Sequence, residues 1–118
     1  MPTVNSLALK RKALGELGVT TIGQEPENDD LLRIEGYVSP LLSTLAAQEI
    51  IYVGDREQIP DSVYLQLAVL LAHAAQTEFS VSEEEAQKLE VRKMTAVSEI
   101  RSIMRGKPTY QPFRMESL

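Results

Sequence analysis

One histidine, no cysteine and 17 carboxylates are what this 118-residue chain has for chemistry. His73 lies in the apolar run LQLAVLLAHAA, with no second histidine to make a ligand pair and no cysteine to make a thiolate site. Zinc needs three or four such ligands at set spacings, so a zinc centre is not expected. In that setting a lone histidine is expected to be a buried, satisfied core residue rather than a base or a ligand. The carboxylates cluster as Glu83–Glu85 and Asp29–Asp30, both at the starts of helical patterns. There they complement the positive helix N-terminus without any need for catalysis. Paired acid–base work requires environments that split two pKa values, and no spacing in the chain suggests one. The six glycines are scattered and form neither GxGxxG nor GxxxxGK[ST], so no phosphate cradle is expected. Hence no catalytic residue, no cofactor and no metal is expected, and the chain is not read as an enzyme.

Four periodic segments must carry these residues. TVNSLALKRKALGELGV places Val4, Leu7, Leu14 and Leu17 near one helical face, with Asn5 or Ser6 to cap and Gly18 to stop. After the polar loop TTIGQEPENDD, the stripe Leu31, Ile34, Val38, Leu41 and Leu45 defines a second helix, capped by Asn28, Asp29 or Asp30. Pro40 predicts either a kink or a break, with Ser39 capping a new helix that begins at Pro40. A third segment, PDSVYLQLAVLLAHAAQTEF, is apolar almost all round and marks the centre of the core. A fourth, SEEEAQKLEVRKMTAVSEIRSIMR, opens with a Ser82/Glu85 capping box and has Arg101 and Arg105 at its end. Its apolar contacts are expected from Ala86, Leu89, Val97, Ile100 and Met104. Gly106 and Pro108 then stop it.

Two stretches fall outside the helical pattern. Residues 50–58, within EIIYVGDREQIP, are rich in β-formers around a Gly54-Asp55 turn and predict a short extended or β insertion. Residues 106–118, GKPTYQPFRMESL, carry Tyr110, Phe113, Met115 and Leu118 between prolines, unlike a disordered tail, which usually lacks such residues. The expected architecture is all-α: a bundle of about four helices over residues 1–105 and an extended C-terminal arm over 106–118.

Charge is segregated. Residues 1–23 hold 3 basic and 1 acidic residue, 24–90 hold 3 and 14, and 91–118 hold 6 and 2, for a total of −5. An acidic body disfavours nonspecific binding to phosphates. A helix-turn-helix made of the third and fourth segments would present Glu83–Glu85 to DNA, with the wrong sign. Basic ends and an acidic body instead suit contacts between copies or with a partner. The longest apolar run is too short to span a bilayer, and no signal-peptide pattern opens the chain, so no membrane association is expected.

In order and spacing, LALKRKALGELGV, DDLLRIEGYVSPLLSTLAAQEIIYV, IPDSVYLQLAVLLAHAAQTEF and the closing KPTYQPFRMESL resemble the head–tail adaptor (connector) proteins of tailed bacteriophages and gene-transfer particles. The resemblance covers about residues 7–118, and IP before the Ala/Leu-rich helix and KPTY after the last helix carry most of it. It implies a non-enzymatic virion protein, made in the bacterial host cytoplasm, that forms a ring, commonly of twelve subunits, beneath the portal at the particle's neck. It further implies that DNA passes through without sequence-specific binding, and that a stopper or tail protein docks on the ring. It implies that the arm reaches the portal, with Tyr110, Phe113, Met115 and Leu118 as anchors and Arg105, Lys107 and Arg114 as charge contacts. Ile51, Tyr52, Val53, Asp55 and Arg56 become candidates for contact with a neighbouring subunit or the tail side. The alternative is a small helical regulator or packaging accessory protein that binds DNA directly.

Overall fold

The computed structural model describes residues 2–21 and 23–105. The elements run β1 (Thr3–Val4), α1 (Ser6–Glu16), α2 (Asn28–Ala47), β2 (Ile59–Pro60), α3 (Tyr64–Ala75) and α4 (Glu83–Arg105). Single 3-10 turns over Asp61–Val63 and Gln76–Phe79 flank α3. The four-helix expectation is met.

The organising element is α3. Leu67 to Ala72 and Ala75 are buried as a continuous run, so α3 is covered on most of its circumference. Its alanines and leucines are strong helix formers and let neighbours approach closely. Helices α1, α2 and α4 all pack on it, and α1 also packs on α2. Into this core α1 sends Leu9, Ala13 and Leu14; α2 sends Ile34, Val38, Leu42 and Leu45; and α4 sends Leu89, Ala96 and Ile100. Full burial of a leucine or isoleucine stabilises the fold by roughly 1.5–3 kcal/mol, so these stripes dominate its energetics.

Pro40 neither breaks nor visibly ends α2, which is one helix of 20 residues. The proline costs one backbone hydrogen bond. Two buried residues on each side, Ile34 and Val38 before and Leu42 and Leu45 after, hold both halves on the same core. The residue four before Pro40, whose carbonyl a proline ring crowds in a helix, is Gly36. The buried stripe also runs through Leu42, with Leu31 and Leu41 at its half-buried margins. Glu27 occupies the N-cap position without a side-chain bond, so Asp29 and Asp30 act only through the helix dipole.

Helices α1 and α2 end alike. Val19 N–H donates to the Leu14 carbonyl (3.0 Å) and Ile50 N–H to the Leu45 carbonyl (2.9 Å), each over a left-handed residue. For α1 that residue is Gly18 (φ 77°); for α2 it is Glu49 (φ 58°). Both closures are Schellman-type, and Leu45 and Ile50 are both buried beside the second.

The β structure differs in place from the expectation. Residues 50–58 are irregular; the paired segment is Ile59–Pro60, antiparallel to Thr3–Val4, with Val4 opposite Ile59. Val4 thus belongs to a strand rather than to α1, and Leu7 points outward while Leu9 takes the core position. Asn5 is the N-cap: its Oδ1 accepts the Ala8 N–H at 2.9 Å. A ladder of two pairs has no independent stability. It is held because Ile59 is completely buried.

Candidate interaction surface

The residues with chemical potential are tied into the scaffold. His73 is half-buried on α3, and its Nε2 lies 2.8 Å from Glu90 Oε1 on α4. A carboxylate only accepts, so Nε2 carries the proton and donates. That bond holds the Glu90 carboxyl below its usual pKa. The expected satisfied histidine is therefore a clip between two helices, at their margin rather than deep in the core. Ser82 Oγ accepts the Glu85 N–H at 3.2 Å, which leaves Glu83–Glu85 as an exposed first turn. Among the described residues, no group of three or more His, Asp or Glu side chains could hold a metal ion. No described helix is long and apolar enough to cross a membrane.

The segment 50–58 divides sharply. Ile50 and Ile51 are buried, and Val53 is half-buried against the core. Ile51, a candidate contact residue by sequence, is therefore spent inside the subunit. Asp55 makes a turn: its Oδ1 accepts the Glu57 N–H and its carbonyl accepts the Gln58 N–H, both at 2.9 Å. Arg56 reaches Glu35 at 2.8 Å and Ser39 Oγ at 3.1 Å. Lys10 meets the same Glu35 oxygen at 2.7 Å. The hydrogen bonds from Lys10 and then Arg56 hold the Glu35 carboxyl below its ordinary value of 4.5. Glu57 accepts both the hydroxyl (2.7 Å) and the N–H (3.2 Å) of Ser6, which lowers its pKa too. Arg56 thus fastens the loop to α2 and Glu57 fastens it to α1, while Asp55 shapes the turn that carries them.

Tyr52 is what the segment offers to solvent. It is 79% exposed, on a loop anchored before it by the buried Ile50 and Ile51 and after it by the ion-paired Arg56. Its ring lies over Gly54, where an added Cβ would meet it at 3.3 Å. Together with Ser39, Leu42, Ser43 and Ala46 of α2 it borders a shallow depression.

A second apolar feature lies elsewhere and was not legible as a site. Leu65 on α3 and Val91 on α4 are 55% and 64% exposed. With Val69 and Ala96 they line a groove of about 380 Å³ between α1, α3 and α4. Lys12, Glu16, Arg92 and Glu99 form its rim, across which Arg92 pairs with Glu16. Met94, 65% exposed, is a further large apolar residue on α4. The available signal was that Val91 and Met94 fall off the Leu89–Ala96–Ile100 stripe. Leu65 gave none, because α3 reads as apolar on every side.

Several of the segregated charges are neutralised within the chain: Lys10 by Glu35, Arg11 by Glu25, and Arg92 by Glu16. Arg105 ends α4, exposed, in a patch shared with Glu49, Ile50, Arg101 and Met104. The other expected portal contacts, Lys107, Tyr110, Phe113, Arg114, Met115 and Leu118, lie outside the described residues. In comparisons with known proteins, no family model, no curated protein and no solved structure matches the chain.

Proposed function

We propose that the chain is a structural assembly subunit: a head–tail adaptor that forms a ring below the portal of a DNA-filled capsid and receives a stopper or tail protein. The observation that carries this is the presence of two unlike apolar features built from different elements. One is Tyr52 on its fastened loop beside α2; the other is the Leu65/Val91 groove between α1, α3 and α4. A ring closes through a heterologous contact, in which one surface of each subunit meets a different surface of the next. Two non-equivalent apolar features supply that pair. The order of sequence motifs supports the same reading, and the arm 106–118 is its portal-binding segment. The acidic middle of the chain suits a DNA conduit, which must not retain phosphates.

The test adds the purified full chain to DNA-filled heads that lack a neck and images them by electron microscopy. A ring of density below the portal is expected. Tyr52→Ala and Val91→Glu should each prevent ring closure. Mixed together, they should yield heterodimers by native mass spectrometry, because each retains one intact face. Absence of density with the wild-type chain would overturn the proposal. Tight DNA binding with a steep salt dependence would favour the DNA-binding alternative instead.

A further inference from the structure

Helices α2 and α4 both lean on α3 without comparable packing against each other, and a groove of about 280 Å³ remains between them. Its floor is Leu70 and Ala74 of α3, and its walls are Leu41 and Leu45 of α2 and Val97 of α4. One end is apolar, at Leu45 and Val97. The other carries Tyr37, whose hydroxyl donates to Glu78 at 2.9 Å, and the His73–Glu90 pair. Lys93 stands on the rim between them.

We propose that in the unassembled protein this groove is occupied by the chain's own residues 110–115. Three observations point to that occupant. The first is where the chain leaves the fold: the end of α4 lies beside Glu49 and Ile50, just past the C-terminus of α2 and at the apolar end of the groove. The second is length. From Val97 to Arg105 a helix rises about 12 Å, and four extended residues, 106–109, cover the same distance in return. From Gln48 back to Tyr37 a helix rises about 17 Å, which is also the span of 110–115 in extended form. The third is the order of side chains. In the sequence Tyr110 comes first, then Phe113 and the basic Arg114; along the groove the apolar Leu45 and Val97 come first, then Ala74 and the acidic Glu78 and Glu90.

The groove is thus a holster: it covers the arm's aromatics until a partner offers a better surface. The proposal rests on the adaptor reading only in treating 106–118 as a binding segment, and it concerns the free subunit alone. Because the chain has no cysteine, paired cysteines report the geometry directly. Thr44 is exposed on the α2 wall; Thr95 is exposed on α4 but faces the groove between α1, α3 and α4. In the full-length chain, Thr44→Cys/Gln111→Cys should form an intrachain disulfide under mild oxidation at least several-fold faster than Thr95→Cys/Gln111→Cys. Adding Phe113→Ala should reduce that preference. Equal rates for the two pairs, or a disulfide formed only between chains, would overturn the proposal. Such a failure would leave the ring test untouched, and a failed ring test would not alter the disulfide result.

Discussion

Ile100→Ala tests how α4 is held. The buried residues of α4 are Leu89, Ala96 and Ile100, and Ile100 is fully buried. Ala96 contributes one methyl group, and Val97, Ile103 and Met104 are only partly buried, so Leu89 and Ile100 are the two large side chains that α4 buries. Removing most of one buried isoleucine costs about 3 kcal/mol, from transfer and from the cavity left behind. At 1.36 kcal/mol per decade, that is a factor of about 150 in the equilibrium for lifting α4. Native-state hydrogen exchange, followed against denaturant, reads this directly. Amides of α4 should exchange about 100-fold faster than in the wild type, through an opening with weak denaturant dependence. Amides of α3 should remain on the steeper, global isotherm. Val91→Ala, on the open face of the same helix, should change stability by no more than about 0.5 kcal/mol. If α3 and α4 amides in Ile100→Ala merge on one isotherm, or if the loss falls below about 1 kcal/mol, α4 does not open separately from α3 through its Leu89 and Ile100 contacts.

Three further outcomes follow from individual contacts. Glu35 has its folded pKa lowered below 4.5, so its contribution is complete above that pH and fades as pH falls below it; Glu35→Gln should lower the wild-type midpoint in urea at pH 7 and converge with it in acid. Gly18 sits at φ 77° with open space around its Cβ position, so Gly18→Ala should cost about 1 kcal/mol, by thermal denaturation, from backbone strain alone. Glu49 holds the equivalent left-handed position with a side chain, so Glu49→Gly should move the midpoint the opposite way, by up to about 1 kcal/mol. Ser82→Ala removes the acceptor for the Glu85 N–H and should cost about 1 kcal/mol, with helicity lost first at the N-terminus of α4.

What could be read from the sequence was what a short window contains. The Ser82–Glu85 cap, the Gly18 stop and the apolar run of α3 are local patterns with local causes, and each stands where the spacing placed it. The misses have non-local causes. Pro40 left a kink and a break open; packing on both sides of it excluded the break. The end of α2 carries no glycine, so its Schellman closure through Glu49 left no mark in composition. The strand at Ile59–Pro60 exists because Thr3–Val4 lies alongside, a pairing no window near residue 59 contains. The surface was the least legible part. Asp55 and Arg56 look like free charges in a turn until Ser39 and Glu35 are seen to meet Arg56. Tyr52 kept its place as a candidate because nothing among the described residues covers it.

The bond between Ser6 and Glu57 has a consequence for synthesis. Helix α1 has 11 residues, too few to persist in water by itself. What fixes it arrives late: Glu57 is 51 residues downstream, and the α3 surface that buries Leu9 and Leu14 follows after that. Helix α2, with the Glu35 that meets Lys10, is made sooner, but at about 5–20 residues per second the ribosome leaves α1 roughly 3–10 s without its Glu57 contact, and longer without α3. During that interval Leu9 and Leu14 are open to chaperones and to other nascent chains. Helix α1 is thus made well before the surface that encloses it.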